Sequence, residues 1–170
     1  MKFFSGFCLQ NESRFFDDYL LQNDYTVAGF SYGAVKAAQF ALESSDRIDT
    51  LQLFSPAFFQ CKPERYKRLQ MSAFGKDAQG YRSQFIINCF TPYDIRSVEQ
   101  VEGRSEELDA LLNYVWTTEV LQVLKDKGIR IEVYLGADDR IIDSQKAYEF
   151  FTPYATVTMI KQANHFLQEQ

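Results

Sequence analysis

An α/β fold with a mostly parallel sheet of about five strands is what the sequence predicts, and three observations lead there. Short β-branched and aromatic runs alternate with longer stretches of helical periodicity, the pattern of strands joined by crossovers. The chain has 170 residues, room for one sizeable core and a single domain over 1–170. Hydrophobic residues make up 46% and charged residues 24%, a globular rather than a disordered composition.

Taken in order, KFFSG reads as a short first strand. Asn11 is placed to cap a helix through about Gln22, with Phe15, Phe16, Tyr19 and Leu20 forming its apolar stripe. Tyr25 to Phe30 is the second strand, and Ser31 to about Ser44 an Ala-rich helix. Asp49 to Ser55 is the third strand, ended by Pro56. A helical insert follows over about 57–127, without a strand, its segments lying around Arg65 to Phe74, Ala78 to Ile87, Glu106 to Trp116 and Glu119 to Lys127. Gly128 stops the last of these, where Lys125 and Lys127 complement the C-terminal dipole. Ile129 to Leu135 alternates as the fourth strand, Ser144 to Phe151 is a helix ended before Pro153, and Thr156 to Ile160 is the fifth strand.

Charge and cysteine content exclude several functions. A net charge of −5 is the wrong sign for a nucleic-acid binder. Cys8, Cys61 and Cys89 are widely spaced, with neither a C-x-x-C pair nor a histidine cluster, so they read as reduced thiols rather than a disulfide framework or zinc site. The apolar runs are too short to span a bilayer, and MKFFSGF lacks the three regions of a secretory signal; no membrane association and a cytoplasmic location are expected.

The chemistry concentrates at GFSYG, residues 29–33, between the second strand and the helix that follows. A nucleophilic serine must project beyond the sheet from a sharply strained turn, which only small neighbours allow. Gly29 and Gly33 supply them, and the helix start aims free N–H groups at a developing oxyanion. The sole histidine, His165, follows the last strand in KQANHF and is the one imidazole able to take the Ser31 proton near neutral pH. The loop LGADDRIID after the fourth strand offers the acid that would hold the other ring nitrogen, with Asp138, Asp139 and Asp143 as candidates.

G-F-S-Y-G, then G-A-D-D-R-I-I, then N-H resembles the α/β-hydrolase superfamily, whose triad order is Ser, Asp, His. The resemblance implies a compact α/β-hydrolase with a helical cap insert, and it selects Asp139, third after the glycine of its loop. Ser5-Gly6-Phe7 matches the family's oxyanion loop, implying an oxyanion hole from the backbone N–H groups of Phe7 and Tyr32. Ser5 stands there in place of the family's histidine, and Cys8 in place of its second glycine. FFSGF at the start, NES, LFSP, and the DRI loop before NHFLQ are similar to BioV-type pimeloyl-acyl-carrier-protein methyl ester carboxylesterases. That narrower resemblance implies hydrolysis of a distal methyl ester in biotin synthesis, with the acyl chain on the phosphopantetheine of an acyl carrier protein. Other small-ester hydrolysis or thioester hydrolysis by the same triad is the alternative. A binding module that keeps the elbow without catalysis is disfavoured, since all three triad types occur in order. No cofactor or metal is required.

CKPERYKRL sets Lys62, Arg65, Lys67 and Arg68 against one acid, Glu64, on the insert, a candidate docking surface for an acidic carrier. The cluster on its own also fits a solvated helix face. Phe58, Phe59, Phe74, Phe85 and Trp116 are candidates for an apolar acyl channel or for core. One topological difficulty arises: parallel strands in sequential order with right-handed crossovers put every connecting helix on one face, yet a parallel sheet needs both covered. The insert, the C-terminal tail or a second subunit in a homodimer is expected to cover the other.

Overall fold

The computed structural model describes residues 1–169. From the N-terminus the elements run β1 (Lys2–Phe4), β2 (Leu9–Gln10), a 3-10 helix (Glu12–Phe16), β3 (Thr26–Phe30), α1 (Tyr32–Glu43), β4 (Thr50–Phe54), α2 (Glu64–Lys76), α3 (Ala78–Phe90), β5 (Glu99–Gln100), α4 (Ser105–Asn113), α5 (Thr118–Asp126), β6 (Arg130–Gly136), α6 (Ser144–Phe151) and β7 (Thr156–Ile160). Five strands form the main sheet in the order β1-β3-β4-β6-β7, every neighbouring pair parallel. Every residue of β3 and β4 is buried, as central strands covered on both sides must be. Among the described residues no helix is long and apolar enough to cross a membrane.

Side-chain alternation identifies what covers each face. A Cβ on Gly29 would lie 2.2 Å from the Gly33 carbonyl oxygen, so Gly29 faces α1. Thr26, Ala28 and Phe30 therefore point to the other face, and the register places Gln52, Phe54, Glu132 and Tyr134 beside them. On that face Phe16 stacks against Phe54 at 4.5 Å and packs tilted on Phe30 at 5.0 Å, Tyr19 meets Tyr134 at 5.2 Å, and Phe166 stacks on Phe30 at 4.8 Å and on Phe90 at 4.5 Å.

The insert, through Phe90, and the tail, through Phe166, thus contribute as expected, and the β1–β3 link covers the rest within one chain. This link crosses the face opposite α1, so its hand is opposite to that of the β3–α1–β4 crossover. Gln52 fastens it to the sheet: its side chain accepts the Leu21 N–H at 2.9 Å and donates to the Tyr19 carbonyl at 3.0 Å and to Glu132 at 2.9 Å.

Two expectations need correction here. The helix from Asn11 to Gln22 is a 3-10 helix of five residues. Asn11 does not cap it; it sits in the left-handed region at φ 59° and gives its amide to Glu99. The apolar stripe is real, with Phe16 and Leu20 buried, but isolated turns carry it: the Tyr19 and Leu20 N–H groups both bond the Phe16 carbonyl, at 2.9 and 2.7 Å. The insert also contains a strand, β5, paired antiparallel with β2. Two residues of exposed Glu99-Gln100 show no alternation for a sequence pattern to register.

Phe16 is fully buried at the centre of this aromatic cover. Phe16→Ala is expected to destabilise the fold by about 3–5 kcal/mol, read from the urea midpoint at unchanged slope.

Candidate active site

Ser31 answers to the two glycines around it. Its φ of 53° and ψ of −115° lie where few L-residues go. A Cβ on Gly33 would fall 1.9 Å from the Phe4 carbonyl oxygen, inside any contact distance, so α1 can start against the end of β1 only as glycine. The Ser31 N–H donates to the Phe54 carbonyl at 2.9 Å, and its own carbonyl accepts from Ala34 at 3.1 Å and Ala57 at 3.0 Å. Held this way, Oγ lies 3.1 Å from His165 Nε2.

His165 is fully buried in the turn after β7. Asn164 shapes that turn: its amide donates to the Phe90 carbonyl at 2.8 Å and its Oδ1 accepts the Phe166 and Gln168 N–H groups at 3.0 and 3.1 Å. The Phe30 ring, 4.9 Å away, supports the imidazole. Nδ1 lies 2.6 Å from Asp139 Oδ2, so an Nδ1–H donated to the carboxylate leaves the Nε2 lone pair facing Ser31. The second oxygen, Asp139 Oδ1, accepts the Ile141 and Ile142 N–H groups at 2.7 and 3.1 Å.

The structure therefore brings together Ser31, His165 and Asp139. It leaves Asp138 exposed in the loop and uses Asp143 to cap α6 through the Lys146 N–H.

Tyr32 directly follows Ser31 in the chain, and Phe7 lines the same cavity as the serine. Tyr32 is the first residue of α1, where helical N–H groups lack intrahelical partners. Among the described residues neither N–H donates to a protein acceptor. Phe7 and Ser31 line one cavity of about 510 Å³, in the size range of small-ligand sites. Its walls are largely apolar, including Tyr66 of α2, Phe85 of α3, and Leu108 and Leu111 of α4.

Of the aromatic candidates, Phe59 and Phe85 line it; Phe58, Phe74 and Trp116 do not and belong to the core. Trp116 donates its indole N–H to the Ala57 carbonyl at 2.8 Å and packs on Phe151. Arg140, also in the lining and without an ion pair among the described residues, and Asn164 stand inside the quoted motifs, but the sequence assigns neither a role of its own. The hint of Arg140's place is its position directly after Asp139 in the D-R-I loop.

The basic cluster divides. Arg65 and Arg68 are exposed on α2, one helical turn apart, while Lys67 pairs with Glu64 at 3.1 Å and Lys62 lies over the Tyr66 ring at 5.4 Å. Among the described residues no group of three or more His, Cys, Asp or Glu side chains converges to hold a metal.

No protein-family model and no curated protein matches this chain. Solved structures do. A carboxylesterase structure from the thaumarchaeon Nitrososphaera gargenis is similar with a TM-score of 0.59 at 15% identity, over 83% of this chain and 57% of that one. Naproxen esterase from Bacillus subtilis gives 0.57 at 19% identity, over 84% of this chain and 53% of that one. BioG from Haemophilus influenzae gives 0.60 at 12% identity, over 97% of this chain and 87% of that one. At such identities the likeness is one of fold: the chain has the α/β-hydrolase fold, and it spans little more than half the length of the two esterases.

Cys8, next to Phe7, is buried, and burial pushes its thiol up to about 12. Below that value it stays protonated, leaving about one thiolate in 10⁴ at pH 8. Iodoacetamide at pH 8 should therefore label half-buried Cys61 in the native protein and spare Cys8, as peptide mapping would show.

Proposed function

We propose that this protein is a serine carboxylesterase that removes the methyl group from a pimeloyl methyl ester carried on acyl carrier protein. The observation that carries the hydrolase reading is the line of contacts from Ser31 Oγ to His165 Nε2 and from His165 Nδ1 to Asp139. As Oγ attacks the ester carbonyl, its proton passes to Nε2. The Asp139 carboxylate holds the ring and stabilises the imidazolium, while the Phe7 and Tyr32 N–H groups receive the oxyanion. His165 returns the proton to methoxide, and methanol leaves. A water then gives its proton to His165 and its hydroxyl to the acyl carbon, freeing the acid and restoring Ser31.

Support for the carrier-bound substrate comes from α2. One side of this helix lines the apolar cavity through Tyr66, Gln70 and Ala73, while Arg65 and Arg68 stand exposed beside it. An acyl chain in the cavity would leave its carrier against those guanidiniums, and acidic groups suit them. The local charge matters because the chain as a whole is acidic, at −5. The second reading is hydrolysis of another small ester or of an acyl thioester by the same three residues.

Mass spectrometry of methyl-pimeloyl carrier protein incubated with the enzyme should show loss of the methyl group alone. Ser31→Ala should lower that rate by about four orders of magnitude or more. Release of the whole acyl chain would replace this reading with a thioesterase. Arg65→Glu with Arg68→Glu should cost the carrier substrate about tenfold more kcat/KM than it costs p-nitrophenyl butyrate. Equal losses would remove the docking role.

A further inference from the structure

Glu12 opens the 3-10 helix, is 0% exposed, and takes no part in the hydrolytic steps. A carboxyl so buried is costly unless it is hydrogen-bonded. One oxygen, Oε1, accepts the Gly6 N–H at 2.7 Å; the other, Oε2, has no hydrogen-bond partner among the described residues. Burial pushes the carboxyl above the usual range, while the Gly6 and Glu12 N–H groups, the Ser5 hydroxyl and the Lys36 ammonium pull it the other way. Accepting one hydrogen bond does not require the group to be charged.

What that bond holds is the residue before Phe7. The Gly6 carbonyl is anchored as well, by the Leu9 N–H at 3.3 Å. In a trans peptide the carbonyl and the N–H of one unit point in opposite directions. Anchoring the Gly6 carbonyl therefore sets the direction of the Phe7 N–H, and anchoring the Gly6 N–H fixes the unit before it. The loop needs such anchors, because Cys8 and Asn11 both sit at φ 59°, unfavourable for residues other than glycine. It also lies directly on the aromatic cover of the sheet: a Cβ on Gly6 would be 3.0 Å from the Phe30 ring.

We infer that Glu12 is a positioning residue: its carboxyl oxygen fixes the Ser5–Gly6 peptide unit, and with the Leu9 N–H on the Gly6 carbonyl fixing the next unit, the two anchors together hold the Phe7 N–H toward the substrate carbonyl oxygen on Ser31. The inference rests on the esterase reading. It predicts that the acceptor matters, rather than the volume or the charge at this position.

Glu12→Gln keeps an acceptor oxygen, and Glu12→Leu keeps approximate volume without one. With p-nitrophenyl butyrate, Glu12→Leu should lower kcat about 10- to 100-fold with KM within about twofold, and Glu12→Gln should recover kcat to within about threefold of wild type. Amide exchange at Gly6 should be slow in wild type and Glu12→Gln and fast in Glu12→Leu. An unchanged kcat in Glu12→Leu, or an equal loss in Glu12→Gln, overturns the inference.

Should Glu12→Leu fail to fold, Glu12→Asp pulls the carboxyl back by one methylene; kcat at least about fivefold lower at unchanged KM supports the role, and wild-type kcat refutes it. If wild type hydrolyses no ester, the esterase reading fails by itself. The anchoring of the loop is then decided by Gly6 exchange, standing if exchange follows the series and falling if it does not.

Discussion

The start of α1 is packed so tightly between the ends of β1 and β3 that side chains at Gly29 and Gly33 would lie inside backbone atoms, and the rest of the site depends on that approach. Ser31 is carried into a conformation that costs on the order of 1–3 kcal/mol, and neighbouring backbone bonds hold it there. Those bonds reach the end of β4 through Phe54 and the first residues of the insert through Ala57. The strained turn is thus braced by the end of β4 and by the start of the insert, whose Phe59 lines the cavity.

His165 presents the opposite problem, because no helix or strand carries it. The tail after β7 is short, and ordering each residue costs about 1–2 kcal/mol of backbone entropy. Phe166 offsets that cost. Its ring packs on Phe15 at 4.8 Å, on Phe30 at 4.8 Å and on Phe90 at 4.5 Å, and such pairs add about 0.5–1.5 kcal/mol each beyond burial. The residues that close the sheet's second face are therefore the ones that set the imidazole over Ser31. At Gly136 the tail crosses β6 so closely that a Cβ would lie 2.3 Å from the Asn164 carbonyl oxygen. Fold closure and base placement are one packing problem here.

How much of this the sequence discloses depends on how local the cause is. Ser31 and the glycines beside it are legible because one strained turn demands them within five positions. His165 is legible because its chemistry has no substitute in the chain. The residues alone leave Asp138, Asp139 and Asp143 open, and the geometry separates them by which carboxylate meets Nδ1. The β1–β3 link defeats pattern reading. Its apolar stripe has the spacing of a helix, yet Gln52, more than thirty positions away, takes up backbone groups that a helix would have used itself. Glu12 escapes for the same reason: a lone acid at a helix start normally signals a solvated first turn, and only the assembled fold shows it facing Gly6.

The insert is rooted at both the Ser31 turn and the loop that carries Phe7. It leaves the sheet through Ala57, whose N–H bonds the Ser31 carbonyl, and β5 returns along β2, which follows Phe7 by two residues. The Val101 N–H bonds the Cys8 carbonyl at 3.0 Å, and a Cβ on Gly103 would lie 2.1 Å from the Cys8 sulfur. The two ends of the insert thus meet the Ser31 turn and the loop that carries Phe7, and both Ser31 and Phe7 line the cavity. In the proposed reaction the spacing of those two segments sets the reacting geometry, and the insert, through these bonds, shares with the sheet in holding it.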